Sequence, residues 1–535
     1  MKQKAIAKDW TTIFLTIVLL LGVFLRFNYL DSKVYWIDEV HTSLRASGYS
    51  RTEFVEDASE GKIVSIAELH KFQKLTPERN FIAGIKAISS SEHSPLYYVL
   101  ARLGMELFGS SINVTRGVAA IFSLLLFPAM YWLAQELFNS RIISLVTVGL
   151  VAVSPIQILY AQEAREYSLF AVTIALASAV FLRTFNKKKR ENSFSWQWYS
   201  IAVAIGLYTQ PLFLSVMIAH GIYIVVVNNF KWYRPIKNYL LATALGIFLF
   251  IPWILVFIFN DDGVGMWIER DLPLKFWIQR WILNISATFF DWQVIYPERL
   301  FDVEQVQDFV VNFNGVFLIL LAAIFCLIIY SIYFLLSNAS LKNSFFILLL
   351  IGVPAVALGL PDLILGGQRS TVARYVMGIP LGIQLIVAYC ISTKISCLNY
   401  ANWQRFFWRG ILVITVTLSL VCSWQMIQAP TWWNKYSSYY NAEVANIINK
   451  TEKPLIISNV KRISRSTSLS YQLKDNAKFL LLEESNNIPT IPNTFTSIFL
   501  FRPYPDFLQK LQQNNSYIIE PVFVKGHLYK LDFKK

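Results

Sequence analysis

The chain has 535 residues, 55% of them hydrophobic and only 15% charged, with a mean hydropathy of +0.45. Charge this far below the ~25% of soluble domains excludes a disordered chain, a disulfide scaffold and a cytosolic enzyme, and leaves a polytopic helical membrane protein. The net charge of +14 does not signal nucleic acid. Lys and Arg are scattered between apolar runs rather than gathered in one stripe, as in basic loops at a membrane. Cys326, Cys390, Cys397 and Cys422 lie in or beside apolar segments, where neither a structural disulfide nor a zinc site is expected.

The first apolar run, 11–30, follows Lys2, Lys4 and Lys8. It is long enough to span a bilayer and no small-residue cleavage site follows it, so it reads as an uncleaved span entering from a basic cytoplasmic end. Further runs lie at 112–135, 141–160, 167–184, 198–209, 211–228, 238–259, 313–336, 344–361, 374–393 and 410–427. They give about eleven spans. The segment 94–109 is also apolar, but parity argues against counting it. Lys187, Lys188, Lys189 and Arg190 form the most basic short loop and belong on the cytoplasmic side with the N-terminus, so an even number of spans must separate them. Hence 94–109 is expected to lie in the outer interface or to re-enter. The same alternation puts Lys231, Arg234, Lys237, Lys342, Lys394, Arg405 and Arg409 inside.

Outside then lie 31–110, 161–166, the turn at Thr209 and Gln210, 260–312, 362–373 and everything after Gln428. From Thr431 no spanning run remains. A helical stretch near 440–450 and strand-like runs at 455–458, 479–482, 497–501 and 517–519 predict a small α/β domain. The expected fold is therefore an all-α polytopic membrane domain over 1–430, with a catalytic outer loop at 31–110, and an extracytoplasmic α/β domain over 431–535.

Three outer clusters carry charge against the membrane. Tyr35-Trp36-Ile37-Asp38-Glu39-Val40-His41 follows the first span. Adjacent acids at that depth carry a desolvation cost, and one could deprotonate an acceptor hydroxyl; a solvated acidic loop start has the same composition. Asp38, Glu39 and His41 also make a sparse ligand set for a divalent metal, without a clear ligand spacing. Glu92-His93-Ser94-Pro95-Leu96-Tyr97-Tyr98 opens the interfacial segment, with proline suited to a first helical position and tyrosines to headgroup depth. Tyr160-Ala161-Gln162-Glu163-Ala164-Arg165-Glu166-Tyr167 forms a tight turn between two spans. There Arg165 could bind phosphate or pair with Glu163 at a helix end. Trp267, Trp277, Trp281 and Trp292 could stack on sugars, but interfacial aromatics need no ligand.

In this order the three motifs, with Leu207-Tyr208-Thr209-Gln210 and Ala373-Arg374-Tyr375, resemble the polyprenyl-phosphate-dependent glycosyltransferases of the C superfamily (GT-C). That group includes protein O-mannosyltransferases and the bacterial lipid A aminoarabinose transferases. The resemblance runs over roughly 10–430. Two departures stand out: Ser94 precedes Pro95 where relatives commonly carry two prolines after the His, and Thr209-Gln210 stands where many have Thr-His.

The resemblance implies an enzyme of the plasma membrane that transfers a pentose or hexose, with inversion, from a polyprenyl-phosphate donor to a lipid, glycan or protein acceptor on the outer face. Asp38 is expected as general base, with Glu39 and Glu163 orienting the sugar or acceptor. Arg374, Arg165 and Arg369 are expected at the donor phosphate, and His93, Tyr97, Gln162, Tyr167 and Gln210 as substrate-positioning groups. No resident cofactor is implied, a divalent metal stays open, and membrane lipids rather than nucleic acid are the partners. The competing readings are a lipid-linked sugar flippase or transporter, which calls for mid-span ionisable groups and an internal repeat, and an oligosaccharide ligase or polymerase.

Overall fold

The computed structural model describes residues 2–58, 62–91, 93–185, 194–232, 234–259, 268–292, 315–397, 400–483, 491–492, 494–513 and 516–534. The basic cluster at 187–190 and Trp267 lie outside the described residues. All eleven expected spans are helical. Among the described residues, seven helices are long and apolar enough to cross a membrane, and Arg141–Val153 with Pro155–Ala161, bent by 59°, makes an eighth if the bent pair is one span. The other three are shorter: Thr11–Phe27, Pro211–Val227 and Phe194–Thr209.

The bend has a local cause. Pro155 begins the second half-helix and has no N–H to donate, so carbonyls of the preceding turn lose their partners. Arg26 fills that gap, donating to the carbonyls of Ala152 at 2.5 Å and Val151 at 3.4 Å while also bonding Gly22 of its own helix at 2.7 Å. Gly22 is required there, since a Cβ would collide with the Ala152 carbonyl. Tyr167–Phe185 and Gly378–Ser396 are buried nearly all round and form the centre of the bundle. By contrast, Arg234–Phe259 leaves Leu240, Leu241, Leu245 and Phe248 exposed, the surface a lipid-facing helix presents.

The expectation for 94–109 can be checked from contacts at its two ends. Leu96–Phe108 is a 13-residue helix. Tyr98, near its start, accepts a hydrogen bond from Arg165; Ser110, just past its end, accepts the N–H of Leu75 from the first loop. Asn113 and Arg116, at the start of the next helix, then contact Asp31 and Glu39. Both termini of the helix therefore sit at one end of the bundle, and it does not cross. At the other end, Asn343 donates to the Leu137 carbonyl and Arg183 pairs with Glu136.

A six-stranded sheet stands beyond the bundle, in the order β1-β3-β2-β4-β6-β5, with β1 Ile63–Ser65, β2 Pro454–Asn459, β3 Lys478–Leu482, β4 Ser497–Phe501, β5 Tyr517–Phe523 and β6 Leu528–Phe533. The four strands expected from sequence are present. β1 and β6 were not expected. β2 runs parallel to both β3 and β4, with Ile457 opposite Leu480 and Leu500. β1 comes from the first outer loop and pairs antiparallel with β3, Ile63 opposite Leu480. Strand alternation sends Ile456, Phe479 and Phe499 to a core shared with Leu44, Phe54, Leu69 and Phe72 of that loop. Leu455, Ile457, Leu480 and Leu500 pack on the opposite face with Leu511. The tail and the first loop thus share one core, rather than the loop belonging to the membrane domain alone.

Candidate active site

The first loop folds back on the bundle end, where the Val34 N–H donates to the Pro430 carbonyl at 2.8 Å. Helix Ile37–Ala46 begins after Trp36 with Asp38 and Glu39 in its first turn, where unsatisfied N–H groups favour negative charge. Neighbouring residues point about 100° apart around a helix, so the two acids meet different surroundings. Glu39 turns inward and is fully buried. Its carboxylate accepts two 2.7 Å bonds from Arg116, one of 2.8 Å from Lys435 and one of 3.0 Å from the Ala164 N–H. Burial opposes its ionisation, but the charges of Arg116 and Lys435 and the bonds donated by Arg116 and the Ala164 N–H outweigh it and hold the carboxyl well below the usual carboxylate range. Asp38 keeps 21% side-chain exposure, and its Oδ2 lies 3.7 Å from Nη2 of Arg374.

Arg374 sits on a 3-10 turn, Ala373–Tyr375, ahead of the helix Gly378–Ser396. Its guanidinium lies 5.3–5.9 Å from the rings of Tyr167, Trp36, Tyr375 and Tyr436 and donates to the Tyr436 hydroxyl at 3.3 Å. Such a box holds a cation by ring quadrupoles, with no hydrogen-bond acceptor needed on those sides.

The 162–166 turn forms the floor. Gln162 donates to the carbonyls of Leu25 and Asn28 and accepts from Lys33 at 3.1 Å, which ties the turn to the first span. Glu163 is fully buried. One oxygen accepts the Asn434 amide; the other has no hydrogen-bond partner among the described residues. Burial pushes its carboxyl up to about 7, with Glu39 and Asp38 adding to the rise and Lys435 and Arg374 holding it back. Arg165 pairs with Glu166, at 3.1 and 3.2 Å, and not with Glu163; it also donates to Tyr98 at 2.8 Å.

His93 stacks against Tyr98 at 6.3 Å, and its carbonyl accepts the Trp253 indole N–H. Burial and then Arg165 and Arg45 press its pKa well below 6.5, so the imidazole is neutral. Tyr97 turns away, donating to the Thr115 carbonyl, so the tyrosine that reaches the cluster is Tyr98. Gln210 heads the turn Pro211–Phe213. That turn is docked by a Ser94 bond to the Leu207 carbonyl, but the Gln210 side chain bonds to nothing in the cluster among the described residues. Arg369 does not join either. It closes its own loop through Asp362, the Gly366 carbonyl and Glu269.

Five contributors were not anticipated: Arg116, Lys33, Asn434, Lys435 and Tyr436. Arg116 had a signal, being a lone charge at the start of an apolar run, which calls for a partner. The last three come from a short segment, Trp433–Ser438, that leaves the final span and folds across the site, with the indoles of Trp433 and the preceding Trp432 held by Asp291 at 2.8–3.2 Å. Among the described residues no group of three or more His, Cys, Asp or Glu side chains could hold a metal ion. Glu39, one member of the sparse set with Asp38 and His41, is taken up by Arg116 and Lys435. The assembly thus offers one partly exposed carboxylate beside a buried, aromatic-boxed guanidinium, with a second carboxyl of raised pKa beneath.

Residues 92–256 match the dolichyl-phosphate-mannose-protein mannosyltransferase family. No curated protein matches the chain in sequence. In fold, the chain is similar to ArnT from Cupriavidus metallidurans bound to undecaprenyl phosphate, with a TM-score of 0.54 and 11% identity over 98% of both chains, and to the same enzyme in its apo state, at 0.51 and 12%. The archaeal oligosaccharyltransferase AglB from Archaeoglobus fulgidus, in complex with an inhibitory peptide and a dolichol-phosphate, aligns at 0.50 and 14% over 89% of this chain and 64% of that one. At such identities the likeness is one of fold, and the family match over 92–256 adds the sequence of two of the three motifs. The chain therefore shares the fold of these membrane glycosyltransferases, and over 92–256 it is similar in sequence to the mannosyltransferase family.

Proposed function

We propose that the enzyme transfers one sugar from a polyprenyl-phosphate donor to an acceptor hydroxyl on the outer face of the plasma membrane, with inversion. The observation that carries this reading is the Asp38–Arg374 pair, a carboxylate with solvent access next to a buried guanidinium. Asp38 takes the acceptor's proton as its oxygen bonds to the anomeric carbon; the bond from that carbon to the phosphate oxygen breaks on the opposite side. The leaving phosphate needs cations rather than an acid, and Arg374 supplies one in a water-poor setting. Glu39 supports Asp38 by fixing the helix start, and Glu163 positions the sugar or acceptor through its unpartnered oxygen. An outward site suits a lipid-carried donor, because nucleotide sugars are made in the cytoplasm. Outward placement is supported by Lys231, Arg234, Lys237, Lys342, Lys394, Arg405 and Arg409, which fall at the opposite turns of the alternation.

The test uses purified protein and labelled polyprenyl-phosphate monosaccharides, scoring release of free polyprenyl phosphate. Asp38→Asn is expected to lower turnover by about 10²–10⁴-fold with donor binding kept. Near-normal turnover in Asp38→Asn together with loss in a stably folded Glu39→Gln exchanges the roles of the two acids. If neither substitution matters, the reading fails. A flippase would move the lipid without releasing it.

A further inference from the structure

The sheet carries a second recess. The chain leaving β2 crosses through helix Ile463–Ser470 to β3 on one side, whereas the chain leaving β4 runs through helix Pro505–Gln513 to β5 at the opposite edge. Connections that diverge from adjacent parallel strands open a crevice at their carboxyl ends, the usual place for a ligand in such sheets. Here that crevice is a cavity of about 270 Å³, lined by Asn459, Glu483, Tyr504, Asp506, Phe507 and Lys510.

We propose that this crevice binds a neutral sugar residue and serves as the acceptor-side subsite, an assignment that rests on the glycosyltransferase reading above. The side chains of Glu483 and Asp506 have no hydrogen-bond or ion-pair partner among the described residues. Carboxylate oxygens accept hydrogen bonds, so they suit a ligand rich in hydroxyl donors. Asn459 caps the following turn with its oxygen, 2.8 Å from the Lys461 N–H, which leaves its amide hydrogens to donate to sugar oxygens. Tyr504 is braced on one face by the Arg462 guanidinium at 4.2 Å. With Phe507 it provides the aromatic surface against which the C–H face of a sugar ring packs. Glu483 and Asp506 in the lining are balanced by Lys510 and by Arg462 behind Tyr504, so the recess has no excess of positive charge to select a phosphate or another anion. The flanking Pro503 and Pro505 fix the backbone, so the recess is formed before the ligand arrives. One helix links the strand end at the crevice to the segment that precedes the catalytic helix. Helix Ile463–Ser470, about 12 Å long, runs from the end of β2 to Ser468, which donates to the Tyr35 carbonyl at 2.7 Å, one residue before Trp36.

The test is saturation-transfer NMR on the full-length protein in lipid nanodiscs free of glycosidic detergent. Probes are the methyl glycosides of mannose, glucose, galactose, N-acetylglucosamine and arabinose, with glucuronic acid and glucose 6-phosphate as anionic controls. At least one neutral glycoside is expected to bind saturably, and the anions at least tenfold more weakly. Glu483→Gln combined with Asp506→Asn weakens that binding tenfold or more at unchanged thermal stability, and Asp38→Asn leaves it as it was. Absence of saturable binding by every neutral glycoside, an unaffected double variant, or loss in Asp38→Asn overturns the site. In the transfer assay the double variant is expected to raise the acceptor KM at least tenfold with kcat kept; an unchanged acceptor KM overturns the acceptor assignment. Binding is read without turnover, so failure of this site and failure of the transfer reading are distinguishable.

Discussion

Arg165 and Arg374 differ in what already holds them. Arg165 faces Glu166 through two nitrogens and Tyr98 through a third contact, so a phosphate arriving there competes with an existing carboxylate. Arg374 is boxed mainly by rings, with Asp38 at 3.7 Å. Arg374→Ala is therefore expected to weaken donor binding by ~1.5–3 kcal/mol, or roughly ten- to a hundredfold; Arg165→Ala should chiefly lower thermal stability. Titration calorimetry with polyprenyl phosphate separates the two, and unchanged affinity in Arg374→Ala would return that residue to a structural role. Glu163 makes a prediction of opposite kind. Its folded pKa of about 7 lies above the ordinary 4.5, so the folded protein keeps a proton that the unfolded chain releases. Stability therefore falls as pH rises through the interval between the ordinary carboxylate pKa and the raised one, and stays low above that window. Glu163→Gln should flatten this slope, gaining more thermal stability relative to the parent at pH 8 than at pH 5. Equal gains at both pH values would mean that Glu163 is ionised in the folded state. The charge pattern of these residues was legible in sequence; their division of labour was not. Adjacent Asp38 and Glu39 look equivalent until a helix start turns one inward, and Tyr97 and Tyr98 until the same periodicity sends one to Thr115 and the other to Arg165.

The elements that announced themselves were those whose formation is local. A run of twenty apolar residues has few options in a bilayer beyond a helix, and each of the eleven expected spans is one. What escaped were segments that depend on partners far along the chain. Ile63–Ser65 is only three residues long and becomes a strand because β3 offers it an edge. The 431–438 strap is irregular, and its course follows from the acceptor that Asp291 provides for the indoles of Trp432 and Trp433. That anchor makes the strap testable as a unit. Hydrogen bonds to a charged acceptor contribute ~1.5–3 kcal/mol each, and Asp291→Ala removes both. Turnover is expected to fall at least tenfold, and limited proteolysis should begin to cut within 431–438, because Asn434, Lys435 and Tyr436 reach Glu163, Glu39 and Arg374 only while the strap is held down. A variant with parental protease resistance and parental turnover would show that the bonds to the cluster hold the strap unaided.

For the whole molecule, the contacts gather the first loop, the 162–166 turn, the segment before Gly378 and the strap at one end of the bundle. The turns at Glu136–Arg183 and Leu137–Asn343 mark the other. Contacts fix which loops share an end; that the end holding the cluster faces out is the proposal drawn from the bias of basic residues, and it can be tested directly. Lys74 and Lys342 are both exposed, one on the first loop and one at the far turn. With the four native cysteines replaced, Lys74→Cys should react with a membrane-impermeant maleimide in intact cells. Lys342→Cys should react only after permeabilisation. The reverse pattern would leave the cluster intact as a structure but place it where nucleotide sugars are abundant. The reason to invoke a lipid-carried donor would then disappear, because an inward-facing Asp38 could be served by a soluble one.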